Sequence, residues 1–166
     1  MSIAFLVVDV QQAFFDNPRF KEPLMVASDY INEVSGYFRE SGFPVIHIQD
    51  LNGGGGPGNP GFEVAKEITH LPEEIYIHKS KGNAFWNTDL EKVLKDLKVE
   101  HVIVSGFAVP YCVLSTYLGA EERDFGVSLL QNGIAGVDMD ALKQISTLRN
   151  VVNYKFVKFC LENIKK

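Results

Sequence analysis

Short apolar runs alternate along this chain with segments whose apolar residues recur at helical spacing. The runs are rich in Val, Ile and Phe and carry few polar residues, which is typical of strands buried on both faces of a parallel sheet. Six such runs are predicted to be strands: Ile3–Val8, Val45–Ile48, Ile75–His78, Val102–Ser105, Val127–Leu130 and Val151–Phe156.

Segments of helical period lie between these runs. One of them carries leucine and valine at positions i, i+3, i+4 and i+7, which marks one buried helix face; these residues are Leu90, Val93, Leu94 and Leu97. Thr88 is its expected N-cap, with Glu91 completing a capping box. The predicted helices are Pro23–Glu40, Thr88–Lys98, Pro110–Arg123 and Met139–Leu148, with a short helical turn near Phe62–Lys66. Alternation of strands and helices predicts an α/β fold with a mainly parallel sheet covered on both faces.

Composition and charge narrow the class of protein. The 166 residues carry 16 Lys plus Arg and 21 Asp plus Glu, a net charge of −5, with no long basic run, which disfavours nucleic-acid binding. No apolar run approaches the ~20 residues of a membrane span, and the apolar run at residues 3–8 is too short for a signal-peptide core. We therefore expect a cytoplasmic protein whose two cysteines, Cys112 and Cys160, form no disulfide framework.

A glycine-rich stretch at residues 53–61 separates the second and third predicted strands. Too few residues precede it for it to link two domains, so we interpret it as a long surface loop. It lacks the Gly-Lys-Ser/Thr ending of a phosphate-binding loop. Two interpretations remain open: a flexible loop, or a lid or oligomer contact.

Polar side chains follow three of the predicted strands. Asp9 follows the first strand, Asp50 the second and Lys79 the third, and parallel strands bring such residues to one edge of the sheet, where ligands bind. Cys112 lies in the first turn of a predicted helix, with Pro110 just before it. Free N–H groups of that turn, together with a nearby ammonium, are expected to favour a thiolate. A thiol, a carboxylate and an ammonium are a set that performs nucleophilic catalysis.

The sequence resembles the isochorismatase-like cysteine hydrolases, the superfamily of nicotinamidases, N-carbamoylsarcosine amidohydrolases and isochorismatases. The resemblance covers nearly the whole chain and depends on motifs that occur in the order and spacing of the family. These are Asp9-Val10-Gln11-Gln12-Ala13-Phe14, Lys79 followed by Ala84-Phe85, Thr88-Asp89-Leu90, Gly106-Phe107-Ala108, Cys112-Val113 and Thr116.

Roles for several residues are implied by this resemblance. Cys112 is the nucleophile, Asp9 the general base and Lys79 the third member of a catalytic triad. The backbone N–H groups of Ala108 and Cys112 form an oxyanion hole, beside a cis peptide bond between Phe107 and Ala108. The family also commonly forms dimers or tetramers, so a homo-oligomer is expected.

Three departures from the family pattern refine the expectation. Val109 and Pro110 stand where relatives usually have Thr and then Asp or Asn. The Asp-x-His metal motif of nicotinamidases is replaced by residues 50–52, Asp-Leu-Asn, and His70 is the only histidine between these residues and the third strand. We therefore expect no metal and no other cofactor. Cys112 indicates a resemblance to the amidases of the superfamily, because isochorismatases proper typically lack this cysteine.

From these observations we expect one domain over residues 1–166, with a three-layer α/β/α architecture and a six-stranded sheet in the order 3-2-1-4-5-6. Its predicted function is metal-independent hydrolysis of a small amide or carbamoyl compound through a thioester on Cys112. Two alternatives remain: a non-catalytic interaction protein that retains the fold, and a thiol redox sensor that uses Cys112. Aromatic residues near the strand ends are predicted to form a small, largely apolar substrate pocket; they are Phe14, Phe62, Phe85, Trp86 and Tyr111.

Overall fold

The polypeptide folds around one central parallel sheet. The structure is a computed structural model and describes residues 2–164. In that range the strands are β1 (Ile3–Val8), β2 (Val45–Asp50), β3 (Ile75–Lys79), β4 (His101–Phe107), β5 (Gly126–Ala135) and β6 (Val151–Val152). They lie in the order β3-β2-β1-β4-β5-β6, and every neighbouring pair is parallel. The predicted fold class and strand order are confirmed.

Helices cover both faces of this sheet. They are α1 (Gln12–Phe15), α2 (Pro18–Ser41), α3 (Leu90–Asp96), α4 (Cys112–Glu121), α5 (Met139–Leu148) and α6 (Tyr154–Asn163). Strand β1 shows the layering, because alternate side chains enter two different cores. Ala4, Leu6 and Val8 pack with residues of α3, α4 and α5. Ile3, Phe5 and Val7 pack with residues of α1, α2 and α6. No helix in the described part of the chain is both long enough and apolar enough to cross a membrane.

The predicted sixth strand is wrong over most of its length. Only Val151 and Val152 pair with β5, and residues 154–163 form α6. The Asn153 side chain accepts a hydrogen bond from Phe156 N at 2.9 Å, as an N-cap does. Within that helix, Val157 and Leu161 are buried at a spacing of four residues, which is a helical and not a strand period.

Other predicted helix boundaries differ from the structure for local reasons. Helix α2 begins at Pro18, because the Asn17 side chain caps it and proline fits its first turn. Helix α3 is shorter than predicted, and the Glu91 carboxylate bonds to Lys95 and Arg123 instead of closing a capping box. Residues 62–66 form no helical turn, since Val64 makes an antiparallel bridge with Gln11. Helix α1 was not predicted.

The glycine-rich loop is a series of hydrogen-bonded turns. Gly56 N donates to Gly53 O, and Asn59 N donates to Gly56 O. Gly54 has a φ of 64°, and a Cβ at that position would lie 2.1 Å from the Gly61 backbone, so the two ends of the loop touch. The buried Gln11 side chain bonds to the backbone of Asp50 and of Phe62. These contacts argue against the flexible-loop interpretation and hold the loop next to the end of β2.

Candidate active site

The carboxyl ends of the three strands β1, β2 and β3 bring three charged side chains together. Asp50 and Lys79 are the last residues of β2 and β3 and are register partners. Asp9 immediately follows β1 and has a left-handed φ of 51°, a conformation that aspartate tolerates better than most residues. Strict strand alternation would place Asp9 on the face opposite Val8. The turn at Asp9 instead brings its carboxylate into contact with Lys79.

Lys79 is the centre of this cluster. Its Nζ lies 2.8 Å from Asp9 Oδ2, 3.0 Å from Asp50 Oδ2 and 3.4 Å from Cys112 Sγ. Its side chain is fully buried, and a buried ammonium is tolerated only where it is paired in this way. The structure thus brings together all three residues of the predicted triad.

Cys112 is held next to the cluster by the connection from β4 to α4. Gly106 has a φ of 105°, and a Cβ at that position would lie 2.1 Å from Val8 O, so only glycine lets the ends of β1 and β4 approach so closely. The Phe107–Ala108 peptide bond is cis, as the resemblance implies, and the Val109–Pro110 bond is cis as well. Helix α4 begins at Cys112 and not at Pro110.

Two backbone N–H groups are available at this connection. Among the described residues, neither Ala108 N nor Cys112 N donates a hydrogen bond, whereas Tyr111 N and Val113 N both donate to Ala108 O. The first N–H groups of a helix have no partner within it. Ala108 and Cys112 therefore retain the donors that an oxyanion hole needs.

The electrostatics of the site favour an ionised base at neutral pH. Burial raises the pKa of Asp9 to about 6, although the neighbouring Lys79 ammonium opposes this shift. Burial alone would lower the pKa of Lys79, but the Asp9 carboxylate outweighs it and the pKa rises to about 12. For Asp50, burial is likewise outweighed by hydrogen bonds from Asn52 and Lys79, which lower its pKa. Both carboxylates and the ammonium are charged at pH 7 and above.

The expectation that Lys79 makes Cys112 a thiolate is not met in the resting site. Burial, followed by the Asp9 carboxylate, raises the pKa of Cys112 to about 12, against the opposing effect of Lys79. The resting pair is therefore a thiol next to a carboxylate. Asp9 Oδ1 is buried and lacks a hydrogen bond of normal geometry, and an Asp9 oxygen lies within 4.8 Å of Cys112 Sγ. The Asp9 carboxylate is therefore a nearby proton acceptor for the Cys112 thiol.

Asp50 is the site residue that the sequence analysis did not assign. Its position at the end of the second strand was expected to bring it to the same edge of the sheet as Asp9 and Lys79, but it was given no role there. The structure shows that its carboxylate shares the Lys79 ammonium with Asp9. The strand-end argument that selected Asp9 and Lys79 applies equally to Asp50 and was the signal that could have found it.

The predicted pocket aromatics differ in exposure. Phe62 and Phe85 are buried, the latter against Phe125 and under the Arg123 guanidinium. Phe14 is half-buried against the Phe107 ring. Trp86 and Tyr111 are exposed. A role in substrate binding remains a prediction for all five.

Asp9, Asp50 and Cys112 also form the only group of three possible metal ligands in residues 2–164, with ligand atoms within 4.8 Å of one another. The Lys79 ammonium contacts all three of these side chains. A cation there would have to displace a buried ammonium from its partners, so the residues do not suit a metal ion. Metal-independent chemistry remains a prediction.

Chelation is accordingly expected to leave activity unchanged. After dialysis against excess EDTA, hydrolysis by the protein should match that of an untreated sample, and elemental analysis should find no stoichiometric zinc, iron or manganese. Loss of activity that is restored by one of these metals would contradict this prediction.

This chain is similar to known proteins over most of its length. The family model described as Isochorismatase domain matches residues 3–154. The isochorismatase family protein YrdC of Bacillus subtilis is 28% identical over 156 residues, covering 89% of this chain and 83% of that protein. The ureidoacrylate amidohydrolase RutB of Caulobacter vibrioides is 25% identical over 154 residues, covering 68% of each.

Solved structures share the fold. N-carbamoylsarcosine amidase from Thermoplasma acidophilum superposes with a TM-score of 0.83 at 21% identity, covering 93% of this chain and 97% of that one.

Because the family model matches residues 3–154, the chain belongs to the isochorismatase family. The predicted class of enzyme, an isochorismatase-like hydrolase, is confirmed.

Proposed function

We propose that this protein is a metal-independent cysteine hydrolase that cleaves the C–N bond of a small amide or carbamoyl compound. The observation that carries the proposal is the contact of one buried ammonium, Lys79 Nζ, with Asp9, Asp50 and Cys112 at the start of α4. A relative that covers most of this chain bears the name amidohydrolase, which supports amide chemistry.

Acylation begins with the resting thiol. As Cys112 Sγ forms a bond to the carbonyl carbon, the thiol proton passes to the Asp9 carboxylate. This transfer removes the negative charge that raises the thiol pKa, so deprotonation and attack assist each other. The carbonyl oxygen gains the electron pair and lies at the N–H groups of Ala108 and Cys112. Such a donor typically contributes about 3–4 kcal/mol to the stability of the transition state.

Collapse of this intermediate breaks the C–N bond. Protonated Asp9 gives its proton to the leaving nitrogen, which departs as ammonia or an amine and leaves an acyl thioester on Cys112. Water then attacks the thioester while Asp9, again ionised, accepts a proton from it. The C–S bond breaks and the Cys112 thiolate recovers that proton from Asp9, which restores the resting site.

The redox-sensor alternative fits the structure less well. Helix α4, which carries Cys112, packs on one face of the sheet, and helix α6, which carries Cys160, packs on the other. The two thiols therefore lie on different sides of the sheet. Oxidant sensing also favours a thiol of low pKa, whereas burial raises that of Cys112.

Release of ammonia from a panel of small primary amides and carbamoyl compounds tests the proposal. The wild-type protein and a Cys160→Ala variant are expected to release ammonia from the same member of the panel at similar rates. A folded protein that releases none from any member would favour the interaction-protein alternative.

The dependence of activity on pH follows from Asp9. Its carboxylate must be ionised to accept the thiol proton, and burial raises its pKa to about 6. We expect kcat/KM to fall about tenfold for each pH unit below that value and to be constant between about pH 7 and 9. Initial rates measured from pH 4.5 to 9 test this. An acid limb centred near pH 4, the ordinary range of an aspartate, would show that Asp9 is not the base.

A further inference from the structure

The charges at the site do not balance. Asp9 and Asp50 contribute two negative charges, and Lys79 is the only cation among the described residues that pairs with either carboxylate. With Cys112 present as a thiol, the site carries a net charge of −1. A substrate that enters it meets an excess of negative charge.

Lys79 has no hydrogen-bonding capacity left for a substrate. An ammonium has three N–H donors, and Nζ already contacts Asp9 Oδ2, Asp50 Oδ2 and Cys112 Sγ. Its side chain is also fully buried. It therefore cannot hold a substrate carboxylate without losing one of these partners.

Asp50 is the more accessible of the two carboxylates. Its side chain is 18% exposed, compared with 3% for Asp9. Oδ1 accepts hydrogen bonds from the backbone and side chain of Asn52, and Oδ2 accepts one from Lys79. Two oxygens of an ionised carboxylate offer about four acceptor positions, so Asp50 can accept a further hydrogen bond from a bound molecule.

We infer that Asp50 is a specificity-determining residue, which selects amides that carry an ammonium or other cationic group near the scissile bond and rejects amides that carry a carboxylate there. This inference rests on the proposed function, because it takes Cys112 as the reacting atom. Beyond the proposed function, it specifies the charge that the substrate carries. An ionised group a few ångströms away in a partly buried site acts strongly on a charged ligand, since water screens it incompletely.

Thiol reagents of similar size and different charge measure this selectivity without any turnover. Aminoethyl methanethiosulfonate is cationic, sulfonatoethyl methanethiosulfonate is anionic and methyl methanethiosulfonate is neutral. Rates of modification of Cys112 and Cys160 are followed in one sample by peptide mass analysis. Dividing each rate by that of the neutral reagent removes differences in thiol reactivity. Cys160 serves as the internal reference for a thiol outside the site.

In the wild-type protein the cationic-to-anionic rate ratio is expected to be at least about tenfold higher at Cys112 than at Cys160. Asp50→Asn should reduce the ratio at Cys112 by about tenfold and leave that at Cys160 unchanged. Asp96→Asn is the matched control, because Asp96 is exposed at the last residue of α3 and, within residues 2–164, pairs only with Lys92. That variant makes the same change in net charge and should move neither ratio.

Two results would overturn the inference: equal ratios at the two cysteines of the wild-type protein, or a high ratio at Cys112 that Asp50→Asn does not change. If Asp50→Asn does not fold, Asp50→Ser replaces it, and a high ratio at Cys112 that this variant leaves unchanged likewise counts against the inference. Ammonia release tests the proposed function separately.

Discussion

Replacing Lys79 with alanine is expected to reduce kcat/KM by at least about a hundredfold. The ammonium contacts the proposed base, Asp9, and the proposed nucleophile, Cys112, at 2.8 Å and 3.4 Å. Without it, the Asp9 and Asp50 carboxylates lose the cation that they share, the pKa of Asp9 rises further, and a smaller fraction of Asp9 is ionised at pH 7. Leaving these charges unpaired is also expected to lower the free energy of unfolding by about 3–5 kcal/mol. Ammonia release and urea denaturation measure the two effects.

Lys81 provides the matched control, because it lies two residues further along the chain and is exposed. Lys81→Ala should change kcat/KM by less than about threefold and stability by at most about 1 kcal/mol. Should Lys79→Ala fail to fold, Lys79→Met retains the apolar stem and removes only the charge. An inactive Lys81→Ala together with a fully active Lys79→Met would show that the triad is assigned wrongly.

Loss of the thiol is the second large effect. Cys112→Ala is expected to reduce hydrolysis by at least about a thousandfold, because no other group of the site can form the thioester. The change removes one partly buried sulfur at the first turn of α4, so the protein should still fold. Ammonia release measures activity, and circular dichroism shows whether the fold is kept.

Cys160→Ala is the control for Cys112→Ala. Cys160 is half-buried on α6 and has no ionic partner in the described residues. Its removal should leave the rate unchanged within about twofold. Retention of more than a tenth of wild-type activity in Cys112→Ala would rule out this residue as the nucleophile.

The sheet could be predicted from sequence because its strands are apolar on both faces. Residues of β1 are buried throughout. A short apolar run of this kind, followed by a segment of helical period, is typical of a strand in a parallel sheet that helices cover on both faces. The end of the chain was less predictable. Val151–Phe156 is apolar enough for a strand, yet Asn153 caps α6, and a short apolar run does not distinguish strand from helix by itself.

The site was partly predictable because the strands that carry its residues could be predicted. Strand ends in a parallel sheet meet at one edge, so Asp9 and Lys79 could be expected there from the positions of their strands. Their contact with Asp50 depends on side-chain directions that the sequence pattern does not fix. The thiol pKa was misjudged because burial and the Asp9 carboxylate outweigh Lys79, and the degree of burial becomes visible only in the folded chain.

Trapping of the acyl-enzyme tests the central claim most directly. The protein is mixed with an amide that it hydrolyses, quenched in acid within milliseconds and digested, and a parallel reaction contains hydroxylamine. We predict an acyl group of the substrate on the Cys112 peptide, none on the Cys160 peptide, and the corresponding hydroxamate in the parallel reaction. Hydrolysis that proceeds with neither an acylated Cys112 nor a hydroxamate would contradict the thioester mechanism.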